Sequence, residues 1–248
     1  MMNNNHEHIG KPVILIAGPC AIENFQMFNQ IIEYLLTKKI VNIRANIFKP
    51  RTSPHSFQGI GLKGLEILSQ LKQIHKINFV SEVVDARYIE AMIDHIDIFQ
   101  VGSRNMSNFE LLKELGKTKK PILLKRGMSA TIDEFAYAAE YIIHGGNNNV
   151  YLCERGIRSF DSTTRNVLDL ACVPLMKNRT GLPIIVDLSH SLGRKDIITE
   201  MGKAALACGA DGLMMEVHPN PKNALSDAQQ QLSFVEFENF YNKIFKDD

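Results

Sequence analysis

The sequence predicts an α/β fold built as a single (β/α)8 TIM barrel, and three observations carry that prediction. Short β-rich runs alternate eight times with stretches of helical periodicity over 248 residues, the pattern that wraps a parallel sheet into a closed barrel. No Ser/Gly/Pro-rich linker divides the chain, so its apolar residues serve one large core. The first strand-to-helix turn reads GPCAIEN, where an open doubly wound sheet would carry G-x-G-x-x-G.

The β-rich runs, in order, are VILIA (13–17), VNIRANIF (41–48), NFVSE (78–82), DIFQV (97–101), PILLK (121–125), VYLCE (150–154), PIIVD (183–187) and GLMMEV (212–217). Each is short, apolar and rich in branched side chains, as strands buried on both faces are. The helical periods between them are FQMFNQIIEYLLTKK, GLKGLEILSQLKQIHK, DARYIEAMIDHI, SNFELLKELGK, TIDEFAYAAEYIIHGG, TRNVLDLACVPLMKNRTG and KDIITEMGKAALACGA, with QQLSFVEFENFYNKIF after the last strand. Several open on Ser, Thr or Asp and close on Gly or Asn, the residues that cap helix ends. Residues 1–11 form an N-terminal tail whose Asn-rich start is expected to be disordered, and residues 12–248 form the barrel domain.

Hydrophobic residues make up 45% of the chain, and 28 basic side chains stand against 27 acidic ones, for a net charge of +1. With no run of like charge, neither a nucleic acid nor an anionic membrane surface is an expected partner. The longest apolar stretches fall far short of the ~20 residues that span a bilayer, and the start MMNNNHEHIGK lacks a signal-peptide pattern, so a cytoplasmic protein is expected. Cys20, Cys153, Cys172 and Cys208 contain no C-x-x-C pair, which argues against a disulfide framework or a zinc finger. Cys153, Cys172 and Cys208 read as buried packing thiols. Cys20 differs, because it follows AGP at a strand end.

Barrel enzymes build their active sites at the C-terminal ends of the strands, and those ends are heavily charged here. The second strand delivers Arg44, Lys49 and Arg51, the third Glu82, and the fourth Gln100 and Arg104. The fifth ends in Lys125 and Arg126, the sixth in Glu154 and Arg155, the seventh in Asp187 and His190, and the eighth in Glu216 and His218. Cations converging on one rim repel each other unless anions join them, so a phosphorylated substrate is expected, and more than one. Cys20, His190, Glu216 and Asp227 form a second group. A thiolate, an imidazole and two carboxylates together suit a divalent transition ion such as Mn²⁺, Fe²⁺ or Zn²⁺.

The segments AGPCAIE, FKPRTSPHSFQG, VGSRNMSNFELLKE, PILLKRGMSAT, LCERGIRSF, VDLSH and GADGLMMEVHPNPKNALSD resemble 3-deoxy-D-arabino-heptulosonate 7-phosphate (DAHP) synthases. The likeness is to the short bacterial branch related to 3-deoxy-D-manno-octulosonate 8-phosphate synthases, and it runs from Pro12 to the end of the chain. The resemblance implies a (β/α)8 barrel that condenses phosphoenolpyruvate with erythrose 4-phosphate and water, releasing phosphate, at the entry to the shikimate pathway of aromatic amino acid biosynthesis. It implies metal ligands at Cys20, His190, Glu216 and Asp227, with Mn²⁺ ahead of Fe²⁺, Zn²⁺ or Co²⁺. It also implies phosphoenolpyruvate contacts from Arg44, Lys49, Arg104, Lys125 and Arg155, and aldose-phosphate contacts from Arg51, Thr52 and Ser53. Lys49, Glu82, Lys125 and His190 are the catalytic expectations, with Lys49 protonating the aldehyde oxygen and Glu82 with Lys125 orienting the water. A homotetramer is implied as well.

The chain departs from the family pattern at Leu188, where Pro is usual, at Ser103 in place of Ala, and in SDAQQQL in place of SDGPQSL. The alternatives weighed are an octulosonate 8-phosphate synthase using arabinose 5-phosphate, disfavoured by KPRTSP in place of an Asn-Arg-Ser type segment, and a catalytically silent barrel that binds phosphorylated metabolites. His218 is left open as a residue behind the metal site, and Arg158 with Asp161 is read as a loop ion pair. Neither end leaves room for an added regulatory domain, so no inhibition by an aromatic amino acid through a fused domain is expected.

Overall fold

The computed structural model describes Met2, His6–His8 and Gly10–Lys246. Its strands are β1 His6–His8, β2 Lys11–Gly18, β3 Asn42–Arg44, β4 Asn78–Glu82, β5 Ile98–Val101, β6 Ile122–Lys125, β7 Val150–Glu154, β8 Ile184–Asp187 and β9 Gly212–Glu216. The α-helices are α1 Phe25–Thr37, α2 Gly64–Ile74, α3 Ile89–Met92, α4 Phe109–Gly116, α5 Ile132–His144, α6 Cys172–Thr180, α7 Leu188–Leu192, α8 Ile198–Ala207 and α9 Phe234–Phe245. Strands β2 to β9 pair in chain order, all parallel, and β9 returns to pair with β2, which closes the expected eight-stranded barrel.

Alternation along each strand divides the core in two. Outward residues such as Leu15, Ile43, Phe79, Phe99, Leu124 and Val186 pack beneath the helices. Inward residues Ile14, Ile16, Val80, Ile98, Leu123, Cys153, Ile185 and Met214 fill the lower barrel as a separate apolar cluster. Two residues further along, the inward positions turn polar: Glu82, Gln100, Lys125, Arg155, Asp187 and Glu216 follow directly above that cluster, all of them buried. The barrel interior is therefore apolar below and charged above.

The N-terminal segment departs from the expected tail. His6–His8 pair antiparallel with β2, His6 opposite Val13 and His8 opposite Lys11, and His6 Nε2 lies 2.8 Å from the Lys38 carbonyl. Met2 joins the lower apolar cluster and plugs the barrel from beneath. The expectation for residues 1, 3–5 and 9 lies outside the described residues.

Three further expectations are corrected. The run 41–48 is a strand only over Asn42–Arg44; beyond it, Asn46 spends its amide on the Cys20 carbonyl and on Glu82 N–H. Helix α6 begins at Cys172 and not near Thr164, because Val167 bridges to Ile157 and Arg165 and Asn166 donate their backbone N–H groups to Leu192 and Ser191. Cys208, read as buried, is exposed: it caps the C-terminal end of α8, away from the core.

Candidate active site

The charged upper layer opens into a cavity of about 270 Å³, whose lining includes Arg44, Lys49, Arg51, Thr52, Ser53, Glu82, Arg104, Lys125, Arg155 and His190. Strand alternation also explains which neighbouring charges stay outside. Lys125 and Arg155 face the interior, whereas Arg126 and Glu154 point outward and pair at 3.0 Å, with Asp169 2.8 Å from the same Arg126 nitrogen. These outward charges tie strands to the 156–171 loop and take no part in the cavity.

At one side of the cavity Cys20, Glu216 and Asp227 bring ligand atoms within 4.8 Å of one another. His190 joins them, its Nε2 3.2 Å from Glu216 Oε1 and 3.9 Å from Asp227 Oδ2. A helix of one turn, α7, places that imidazole. Asp187 caps it, accepting His190 N–H through Oδ1 at 3.0 Å, while Oδ2 lies 2.8 Å from Nδ1. Leu188 is fully buried in the core at the first position of the turn, so the missing proline leaves the turn anchored by packing and by the cap.

Electrostatics suit the same four residues to a cation. Burial lowers the His190 pKa to about 4 against the pull of Asp187 and Glu216, so the ring is neutral at pH ~7. With Nδ1–H given to Asp187, the Nε2 lone pair faces two carboxylates. Acceptors directed at one another repel unless something positive lies between them, and the Lys49 ammonium is there, 3.1 Å from Asp227 Oδ2 and 3.4 Å from Nε2. Burial opposes the Lys49 charge, but Cys20, Glu216 and Asp227 together raise its pKa. Burial, then the Glu216 carboxylate, pushes the Cys20 thiol up to about 12; a bound cation is what would make it a thiolate. The donor set and the carboxylate behind His190 fit a divalent transition ion.

The remaining predicted residues take definite places. Arg44 is fully buried, its guanidinium 3.0 Å from Glu216 Oε1 and donating to the Pro19 carbonyl, so it underlies both Glu216 and the cavity it lines. Lys125 pairs with Asp187. Burial raises the Glu82 pKa against the pull of Lys49 and Lys125, and Gln100 Nε2 donates to its Oε2 at 3.2 Å. Burial lowers the Arg155 pKa, and its Nη1 donates to the Gly156 carbonyl. At the mouth, Arg104 reaches Thr52 Oγ1 at 3.4 Å and Arg51 reaches Asp227 Oδ1 at 2.9 Å. Ser53 is exposed beside them.

The residues matched by the DAHP synthetase I family model run from 3 to 248. The chain belongs to the DAHP synthetase I family. Within that family it is 44% identical, over 94% of its own length and 69% of the other protein, to phospho-2-dehydro-3-deoxyheptonate aldolase of Thermotoga maritima. It is 31% identical, over 93% of its length and 90% of the other, to 2-dehydro-3-deoxyphosphooctonate aldolase of Francisella tularensis subsp. holarctica. The crystal structure of the Thermotoga maritima DAHP synthase superposes with a TM-score of 0.89 at 43% identity, covering 93% of this chain and 68% of that one. A truncated form of the Thermotoga maritima enzyme gives a TM-score of 0.85 at 39% identity, covering 93% and 84%.

Some residues of this DAHP synthetase I site were not singled out from sequence. Asp187 was noted only as a strand end, yet it orients His190 and neutralises Lys125. Gln231 Oε1 accepts the Cys20 N–H at 3.1 Å, and Gln230 Nε2 donates to Glu216 Oε2 at 2.6 Å, so two amides of SDAQQQL support the site, Gln230 at the position where the family pattern SDGPQSL also has Gln. The signal available was a run of three glutamines, Gln229 to Gln231, just after Asp227. His218 lies elsewhere, its Nδ1 accepting Asn220 N–H and its Nε2 3.6 Å from Glu23. Asp161 accepts Thr163 N–H, and among the described residues no ion pair joins it to Arg158.

Proposed function

We propose that this chain condenses phosphoenolpyruvate with D-erythrose 4-phosphate and water to give 3-deoxy-D-arabino-heptulosonate 7-phosphate and phosphate. The observation that carries the reading is a single cavity lined by Arg44, Lys49, Arg104, Lys125, Arg155 and His190, with the His190 imidazole 3.2 Å from Glu216 and 3.9 Å from Asp227 in the group that also holds Cys20. The cations match two phosphate esters and a carboxylate, since arginine holds such groups bidentately and lysine adds a mobile point charge.

A divalent ion held by Cys20, His190, Glu216 and Asp227, Mn²⁺ ahead of Fe²⁺, Zn²⁺ or Co²⁺, supplies Lewis acidity toward the aldehyde oxygen. The chain's own residues do the rest. Arg51, Thr52 and Ser53 hold the aldose phosphate at the mouth, which brings the aldehyde carbon toward C3 of phosphoenolpyruvate at reacting distance. Lys49 donates a proton to the aldehyde oxygen as the C–C bond forms. Glu82, whose raised pKa suits a proton acceptor, holds with Lys125 the water that adds to C2. The tetrahedral adduct then expels phosphate, whose charge Arg104, Lys125 and Arg155 stabilise. The enzyme works as a cytoplasmic homotetramer in this reading, testable by its mass in solution.

The test uses the purified, metal-loaded protein, with phosphoenolpyruvate loss followed beside erythrose 4-phosphate or arabinose 5-phosphate. Faster turnover of erythrose 4-phosphate supports the reading, and Cys20→Ala is expected to abolish it. Faster turnover of arabinose 5-phosphate would replace it with the octulosonate reaction, and no turnover of either would leave a binding barrel.

A further inference from the structure

Gln230 lies in the turn that brings the chain back from Asp227 toward the barrel, and its buried side chain is engaged at both ends. Its Nε2 donates to Glu216 Oε2 at 2.6 Å and stands 3.5 Å from Asp227 Oδ2, while its Oε1 accepts from Arg165 Nη1 at 2.6 Å. Asp227 itself sits at φ 46°, a left-handed conformation disfavoured for a residue with a Cβ, and Gln230 N–H closes that turn on the Asp227 carbonyl at 3.2 Å. One neutral amide therefore spans the two converging carboxylates, beside the cations Arg44, Lys49 and Arg51 that pair with one or the other. Neutrality matters, because a lysine or arginine there would hold the same oxygens while competing with a cation for them.

Resting on the reading of Cys20, His190, Glu216 and Asp227 as a metal site, we infer that Gln230 is a positioning residue that sets Glu216 and Asp227 for the cation. Arg165 holds Gln230 in its rotamer. Arg165 also lines the cavity beside Lys49 and Arg51 and itself stands 3.4 Å from Asp227 Oδ2, so the loop at the mouth is joined to these carboxylates both directly and through Gln230.

The experiment measures Mn²⁺ affinity of the metal-stripped full chain by competition with a chelating dye, without substrates, together with the thermal midpoint of the metal-free protein. Gln230→Leu is expected to weaken Mn²⁺ binding by ~10–100-fold, the usual effect of removing a group that orients ligands, with the midpoint unchanged. Gln230→Asn, which keeps the amide, is expected to fall between the two. Unchanged Mn²⁺ affinity in Gln230→Leu overturns the inference. If that variant does not fold, unchanged affinity in Gln230→Met overturns it instead. Because no substrate is present, an inactive wild-type protein would sink the proposed reaction and leave this result standing; an active one with unaltered variants would sink this inference alone.

Discussion

His190 is held by Asp187 from two directions at once, backbone N–H to Oδ1 at 3.0 Å and ring Nδ1 to Oδ2 at 2.8 Å. One carboxylate thereby starts the turn that presents the imidazole and selects the tautomer that leaves Nε2 free. The same oxygen, Oδ2, pairs with Lys125, so the His190 imidazole and the Lys125 ammonium share one anchor.

Asp187→Asn is accordingly expected to harm two properties together. Metal affinity should drop ~10–100-fold, since the orienting partner of a ligand is lost. Stability should fall by about 3–5 kcal/mol, because Lys125 is left as a buried charge without a counter-ion. Dye competition and urea unfolding measure the two, and a variant altered in neither would contradict the arrangement.

Gly102 makes room for the Glu82 carboxylate. A Cβ at that position would stand 1.9 Å from Glu82 Oε1, so Gly102→Ala has to push the carboxylate aside. A displacement of about 1 Å in a positioned group costs ~10²-fold in rate. The expected signature is a loss in kcat with metal affinity retained. A kcat near wild type would remove Glu82 from the reaction.

Protonation of His190 gives the metal-free protein a defined pH dependence. In the unfolded chain the imidazole takes up its proton near pH ~6.5, whereas the folded one does so only at about 4. Between those values the unfolded state binds more protons, so stability is full above the upper value and declines as pH falls toward the lower. The decline is at most about 3 kcal/mol from this group. Urea midpoints across the window check it, and His190→Gln should flatten the slope.

Removal of residues 1–10 is expected to destabilise the barrel while sparing its chemistry. Met2 lies in the lower interior cluster, and burying a side chain of that size stabilises by ~1.5–3 kcal/mol. The β1 ladder adds to this. For a chain of this length each kcal/mol shifts the thermal midpoint by ~2–4 °C, so a drop of several degrees is expected with kcat unchanged at low temperature. An unaltered midpoint would show that the segment contributes nothing.

The barrel was legible because its strands are apolar on both faces and its helices carry capped amphipathic periods, two signals that local sequence states directly. Cys20, His190 and Glu216 could be set at one rim once the strand ends were aligned, whereas Asp227 lies well beyond the end of β9 and reaches them only because the chain turns back there. What the sequence did not disclose depends on contacts between segments far apart. Asp187 read as a strand end because its partners, Lys125 and the His190 ring, declare themselves only when the barrel closes. Arg126 and Glu154 looked like rim charges until strand alternation sent them outward. The N-terminal strand is too short to carry a periodic pattern, and its stability comes from Lys38, Tyr241 and Phe245 elsewhere in the chain.

The division of the barrel interior into an apolar lower half and a charged upper half separates two kinds of tolerance along the axes of β4, β5, β6 and β8. Substitutions among Val80, Ile98, Leu123 and Ile185 adjust how firmly the molecule holds together, and those two residues higher, Glu82, Gln100, Lys125 and Asp187, adjust what it can do. Efforts to harden this protein against heat therefore have a safe floor to work on, because improved packing there leaves the crowded charges overhead as they are.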